Sequence, residues 1–275
     1  MKMQRTANIS AMTVGLVASL LPMVLHAQAG GAPFAGTYAG IDAGPAWASS
    51  SYQTNSGCVP LAAGGVFCIV SPDPSASNGV AVANSGSGNF NIKRLNYDAH
   101  VGHDWNIKNY IVGGEAEFGG MNISQSMTSN GLFPFPFLGT TYSVYDAIST
   151  SWLATLRARA GVVVKQQFLL YATGGLAFTD LKLSSGYNDN AVAPGFPGGS
   201  GSASKSNFKT GWTLGGGGEW QLSDAYSLRL EYLYVKFGSI NLAVPLSNTS
   251  AFTQTMQTSA DLKNQILRIG LNYRF

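Results

Sequence analysis

The sequence predicts an all-β chain, an eight-stranded antiparallel transmembrane up-and-down β-barrel with short periplasmic turns and long extracellular loops. Three observations predict it. The last twelve residues, Asn264 to Phe275, alternate apolar and polar side chains and stop on an aromatic, which gives a strand one greasy face and one mostly wet face. Seven earlier segments alternate in the same way. The connections between segments alternate short with long, as a membrane barrel with turns on one side and loops on the other requires. A soluble β-sandwich has no reason to segregate its loops by length.

The chain begins with Lys2 and Arg5, an apolar run from Ile9 to Leu25 and the small-residue pattern Ala27-Gln28-Ala29. That is the layout of a secretory signal peptide, with cleavage after Ala29 or, alternatively, Ala27. The expected organisation is a signal peptide over 1–29 and one barrel domain over 30–275. Removing the leader takes two of sixteen basic residues, so fourteen face thirteen acids and the mature formal charge is +1. A nucleic-acid partner recruited by net charge is excluded. Beyond the leader no stretch approaches the roughly 18 consecutive apolar residues of a spanning helix. The chain holds 34 glycines, 14 Phe, 12 Tyr and 5 Trp with only 11% charge, a balance that suits an outer surface facing lipid.

The first strand runs from about Gly36 to Trp47. Its lipid face is ambiguous, because Tyr38, Gly40 and Asp42 share one side. The second, Lys93 to Trp105, sets Leu95, Tyr97, Val101 and Trp105 against Asn96, Asp98, His100 and Asp104. The third, Tyr110 to Gly120, sets Tyr110, Val112 and Phe118 against Glu115 and Glu117. The fourth, Ser151 to Val163, sets Trp152, Leu156 and Val162 against Thr155, Arg157 and Arg159. In the fifth, Phe168 to Thr179, Leu170, Leu176 and Phe178 oppose Tyr171 and Thr173. In the sixth, Lys209 to Trp220, Trp212, Leu214 and Trp220 oppose Thr213 and Glu219. In the seventh, Ser227 to Phe237, Leu228, Leu230 and Tyr232 oppose Arg229 and Glu231. In the terminal strand Leu267, Ile269, Leu271, Tyr273 and Phe275 oppose Arg268, Asn272 and Arg274.

The short links are Asn106 to Asn109, Val164 to Gln167 and Gln221 to Tyr226. The long ones run from about Ala48 to Ile92, Met121 to Thr150, Asp180 to Phe208 and Gly238 to Lys263, and are expected to be extracellular loops. Trp212 and Trp220 share a face eight residues apart, about 26 Å along a strand at ~3.3 Å per residue. With strand tilt they fall near the two edges of an apolar band of about 25 Å, where aromatic girdles form. The expected girdle set is Trp105, Trp152, Trp212, Trp220, Tyr273 and Phe275. Cys58 and Cys68 lie close together in a Gly/Ser/Pro-rich region, and export exposes them to an oxidising compartment, so a disulfide is expected. Its short loop would stabilise by roughly 2–3 kcal/mol on a chain-entropy argument.

Several stretches resemble the alphaproteobacterial small outer-membrane proteins of the porin-family, or outer-membrane immunogenic protein, group, which share the OmpA-like eight-stranded barrel. The resemblance is carried by SWLATLRARAG (151 to 161), LYATGGLAF (170 to 178), GWTLGGGGEW (211 to 220), LRLEYLYVKFG (228 to 238) and LRIGLNYRF (267 to 275). It covers most of the mature chain outside the long loops. It implies the fold and an outer-membrane location, and leaves the activity open. Two features depart from the family pattern: the long first loop with its cysteine pair, and His103 where an aromatic usually precedes the strand-end Trp.

The inward faces gather Asp98, Glu115, Glu117, Arg157, Arg159, Glu219, Arg229, Glu231 and Arg268. Buried charges must be paired, and eight strands leave an interior just wide enough for side chains. The expectation is a salt-bridge network that fills the lumen, with a narrow polar path as the alternative. His100 with Asp98 could form a base and its orienter, yet no motif places a nucleophilic serine. No spacing suggests a metal site or phosphate loop, Gly215 to Gly218 lies inside a strand, and no cofactor is expected. The expected surroundings are outer-membrane lipid and lipopolysaccharide, with the barrel-assembly machinery engaging the C-terminal strand. The apolar stretch Phe133-Pro134-Phe135-Pro136-Phe137 and the turn-rich Pro194 to Gly199 suit packing over the barrel mouth or a homo-oligomer contact. They also suit a host, phage or haem contact. The reading is therefore a non-enzymatic structural and surface protein, with a small-solute channel and a loop-mediated adhesin or receptor as alternatives.

Overall fold

The computed structural model describes residues 33–57, 77–134, 139–193, 196–248 and 254–275. Eight long strands form one closed ring: β1 (Gly36–Gly57), β2 (Gly88–Ile107), β3 (Tyr110–Leu132), β4 (Thr141–Val164), β5 (Phe168–Asp189), β6 (Gly199–Gln221), β7 (Tyr226–Asn248) and β8 (Gln254–Arg274). Each pairs antiparallel with its sequence neighbours, and β1 closes against β8 through Tyr38↔Arg274 to Gly57↔Thr255. Beside them lie one helix, α1 (Asn78–Ser85), and a small pairing of 192–193 with 196–197. Residues 1–32, which include the expected signal peptide, and Cys58, Cys68, Phe135 to Phe137, Pro194 and Gly195 lie outside the described residues.

The strands run further than the sequence alternation indicated. Most of what was expected to be four long extracellular loops is continuous strand, with lengths of 20 to 24 residues. At ~3.3 Å per residue such a strand is about 70 Å long. Tilted by about 40°, it stands roughly 55 Å tall, about twice an apolar band of ~25 Å. Half of the barrel therefore rises beyond the membrane.

The two halves invert their chemistry. In the lower half Leu95, Val101, Leu156, Leu170, Leu214 and Ile269 face outward, while Arg157, Arg229 and Arg268 are buried inside. In the upper half Phe90, Ile92, Val144, Leu183, Leu242 and Val244 are buried in one hydrophobic core, and Gln53, Asn91, Ser204, Asn241 and Gln257 face water. Each half buries the face its own surroundings reject. The face of β1 that the sequence left ambiguous is settled by this rule: Ile41 is 66% exposed to the lipid side, and Tyr38 and Asp42 point inward.

Above the membrane the ring loosens along two opposite seams. The β2–β3 ladder stops at Tyr97↔Gly120, and the β6–β7 ladder is interrupted between Ser200 and Gly211. What remains is a pair of four-stranded sheets, β7-β8-β1-β2 and β3-β4-β5-β6, facing each other across an apolar core in the manner of a sandwich. Irregularities in three ladders mark the change, at Gly120/Ile123, Ser149/Ala154 and Ala260/Leu262. Bulges bend and twist strands where architecture changes. Asn122, at the first, takes a left-handed φ of 39°.

Side chains bridge both seams. Arg94 Nη2 donates to Ser124 O at 3.4 Å and Asn96 Nδ2 to Gly120 O at 3.0 Å across the first. Lys209 Nζ donates to Ser239 O at 2.6 Å and Lys205 Nζ to Asn241 O at 3.4 Å across the second. Unpaired strand edges are commonly protected by lysine and proline, and Pro245 falls in the same unpaired stretch of β7. Helix α1, capped by Ser77, joins the two sheets at the top. Ser56 Oγ donates to Gly79 O at 2.7 Å, Tyr142 OH to Ala81 O at 3.0 Å, and Val82 enters the core.

Candidate functional site

The lower lumen is packed with charge. Arg157, from β4, donates to Glu117 Oε2 at 2.8 Å and to Glu231 Oε2 at 3.1 Å, and also pairs with Glu115. Arg268 donates to Asp98 Oδ2 at 2.6 Å and Glu117 Oε2 at 2.6 Å, with its Nε 3.0 Å from Glu231 Oε2. Arg229 donates to Glu115 Oε2 at 2.6 Å and embraces Asp42 through Nε at 3.1 Å and Nη2. Arg159 donates to Glu219 Oε2 at 2.9 Å and to Tyr38 OH at 2.9 Å. All nine charged residues expected inside are thus buried there and joined through one another.

The register explains how. Glu115 lies directly opposite Arg157, Glu231 opposite Arg268, and Glu219 opposite Arg229. Inward side chains of opposite sign therefore begin about 5 Å apart on neighbouring strands. The cross-lumen bonds, such as Arg157 of β4 to Glu231 of β7, follow from closing the ring. Gly217 makes room for one of them: a Cβ there would come within 2.8 Å of Tyr171 OH, which donates to Glu231 Oε1 at 3.0 Å.

Sequence reasoning missed Asp42, Asp104, Tyr38 and Arg274 as members of this network. Asp42 pairs with Arg229 and lies 2.9 Å from His100 Nδ1. Asp104 lies 3.5 Å from Arg159 Nε and 3.6 Å from Arg274 Nη1. Their signal was the parity of the inward face: Asp104 and Arg274 already share the polar faces of β2 and β8, whereas β1, which carries Tyr38 and Asp42, gave no parity until it was closed against β8. Five arginines and His100 face seven carboxylates in all.

Asp42, Asp98 and His100 bring ligand atoms within 4.8 Å of one another. Arg229 and Arg268 already stand against the two carboxylates, so each has a cationic partner from the chain itself. The same arrangement bears on a base-and-orienter reading of His100. Its Nδ1 is 3.9 Å from Asp98 and its Nε2 is 2.7 Å from Asn272 Oδ1, and no serine hydroxyl contacts it among the described residues.

The expected girdle residues fall at two levels on the outer face. At the turn end, Trp220 stacks on Phe168 at 5.9 Å, Tyr273 meets Phe275 at 4.9 Å and Tyr226 at 5.2 Å, and Trp105 lies 58% exposed. At the other level Trp152 meets Phe118 at 5.9 Å and Phe208 at 6.2 Å, and Trp212 meets Tyr234 at 5.3 Å. Of the apolar stretch over 133–137, Phe133 is buried against Tyr142 at 5.1 Å in the upper core.

Residues 15–275 match the family model described as outer membrane protein beta-barrel domain. The chain belongs to this family. Its location is the bacterial outer membrane, and outer-membrane lipid surrounds the lower half of the barrel. A 31 kDa outer-membrane immunogenic protein of Brucella melitensis is 28% identical over 176 residues, which are 64% of this chain and 64% of that one. A 22 kDa outer membrane protein of Rhizobium leguminosarum bv. viciae is 27% identical over 165 residues, covering 56% and 62% of the two chains. The chain thus spans somewhat under two thirds of the length of these relatives. Among solved structures, the outer membrane protein OprG from Pseudomonas aeruginosa aligns with 13% identity and a TM-score of 0.41, over 88% of this chain and 96% of that one.

One charged side chain of this outer-membrane barrel lies apart from the lumen network. Asp146, on β4 above the membrane, is 2% exposed inside the upper core. Burial raises its pKa to about 6, against a hydrogen bond from Ser185 that lowers it. Among the described residues no cation pairs with it.

Proposed function

We propose that this barrel is a non-enzymatic structural and surface-display protein of the outer membrane with a closed lumen. The observation that carries the reading is the set of guanidinium groups shared between strands across the lower lumen. Each of Arg157, Arg229 and Arg268 touches carboxylates from at least two other strands. Ions could pass only by breaking pairs whose rupture leaves a charge stranded in a low-dielectric interior, at about 3–5 kcal/mol each. The apolar core of the upper half stands over that network as a second barrier.

In this reading the mature protein, residues 30–275 after removal of a leader over 1–29, is a single barrel domain. The barrel-assembly machinery receives it by its C-terminal strand. The elongated upper half lifts the strand connections away from the membrane, which suits a surface antigen, and the Brucella relative bears the name immunogenic protein. The nine charged residues and the paired aromatics serve the architecture, and catalysis is not among their roles.

The test is single-channel conductance of refolded protein in a planar bilayer, with heat-dependent gel mobility showing that the barrel has formed. Silence from folded protein is expected. Reproducible conductance steps absent from denatured controls would replace this reading with a small-solute channel whose selectivity elements are the inward Glu and Arg residues.

A further inference from the structure

Lys236 of β7 and Lys263 of β8 are directly opposite each other in the ladder, both on the outer face. Like charges so placed repel. Asp261, 3.5 Å from Lys263 Nζ, offsets part of one charge. Lys236 has no ion-pair partner among the described residues. A cross-strand lysine pair on an open wall is best accounted for by an anion that both ammonium groups can reach.

Height says which anion. Lys236 faces Trp212 across the β6–β7 ladder, and Trp212 rests against Tyr234 at 5.3 Å. Beside them Gln265 lies opposite Trp47 of β1 and accepts from Tyr232 OH at 2.9 Å. These aromatics belong to the upper level, where apolar wall gives way to water. The patch is therefore greasy and aromatic below and doubly cationic above, the arrangement that an amphiphile with an anionic headgroup presents in reverse. The surrounding upper wall has the same bias, with Lys93, Lys182 and Lys205 against Asp180. That bias is hidden in the mature formal charge because the lumen holds most of the acids.

We infer that Lys236 and Lys263 form a binding site for the phosphate of an outer-leaflet glycolipid, whose acyl chains lie along Trp212, Tyr234 and the wall below. Two ammonium groups give a phosphate charge-assisted hydrogen bonds from two sides, and the lipid dissipates the repulsion between them. The site is on the outer wall and does not depend on whether the lumen conducts.

The experiment uses the refolded full chain in neutral detergent with bis-phosphorylated lipid A, the same lipid stripped of phosphate, and inorganic phosphate. Bound lipid is read by native mass spectrometry and folding by heat-dependent gel mobility. Retention of the bis-phosphorylated lipid is expected, weakened at least tenfold in Lys236→Gln/Lys263→Gln and within twofold of the parent in Lys182→Gln. Equal retention of the phosphate-free lipid, an unaffected double variant, or an equal loss in Lys182→Gln would overturn the assignment. Inorganic phosphate competing as well as the lipid would assign the pair to a free anion and overturn the lipid. Should the double variant fail to reach folded mobility, Lys236→Gln alone decides. Without lipid it should unfold at a higher temperature than the parent, because a repulsion is removed, and it should lose the stabilisation that bis-phosphorylated lipid A gives the parent. A lower lipid-free unfolding temperature, or unchanged stabilisation by the lipid, would overturn the proposal.

Discussion

Arg268 on the last strand and Glu231 on the strand before it are direct cross-strand partners, and Arg268 Nε lies 3.0 Å from Glu231 Oε2. The pair couples closure of the barrel to filling of its lumen, because Arg268 also reaches Asp98 on β2 and Glu117 on β3. A double-mutant cycle should expose this. Arg268→Met and Glu231→Gln, each alone, strand charged partners in the lumen. The double variant should be less destabilised than the sum of the singles by about 1–3 kcal/mol, read as midpoints of urea unfolding in vesicles. Strict additivity would mean that the two side chains do not act as a unit.

Arg157→Ala removes the one cation that Glu115, Glu117 and Glu231 all share, leaving Arg229 on Glu115 and Arg268 on Glu117 and Glu231. Breaking a buried pair from one side costs about 3–5 kcal/mol, so a clear drop in the barrel's unfolding temperature is expected, with no conductance gained in a planar bilayer. New conductance at unchanged stability would show that the arginine gates a path.

The upper half should behave as a packed core. Leu183 is 1% exposed among apolar neighbours, and Leu183→Ala should cost about 2–5 kcal/mol. Because the site lies beyond the membrane, the loss should appear as faster proteolysis of the upper strands while the lower barrel keeps its heat-dependent mobility. An unchanged digestion rate would argue for an unpacked loop.

Asp146 should make that half sensitive to pH. Its carboxyl is raised from 3.8 to about 6 by burial, so the folded state holds the proton more tightly than the unfolded chain. The stabilisation is fully present below about pH 4 and is lost as pH rises through about 6. It corresponds to on the order of 3 kcal/mol at most. Asp146→Asn should flatten this dependence and raise the thermal midpoint of the upper half at pH 7.5. Parallel profiles for the two proteins between pH 4 and 7.5 would exclude the carboxylate as the cause.

The cross-strand charge pairs were legible because sign and parity are local properties. Once Glu115 and Arg157 are seen to face inward on adjacent strands, their meeting follows. Asp42 was not legible, since β1 carries Tyr38, Gly40 and Asp42 on one side and breaks its alternation at Gly44 and Pro45. The upper ends of the strands were not legible for a different reason. Above the membrane the alternation continues with its faces exchanged, apolar inward and polar outward, so a lipid-facing stripe marks only the lower part of each strand.

By itself, then, the sequence determined the membrane barrel. A period-two pattern with a greasy outer face has one stable arrangement in lipid, a closed ring in which every backbone group is paired. The number of strands and their charged lining follow from counting that pattern. Only the tertiary structure decided which carboxylate each arginine reaches across the lumen. It also decided that the strands continue beyond the membrane and split into two facing sheets, and that Lys236 stands against Lys263. These depend on register and shear around the closed ring, which no single strand encodes, because they arise when the first strand meets the last.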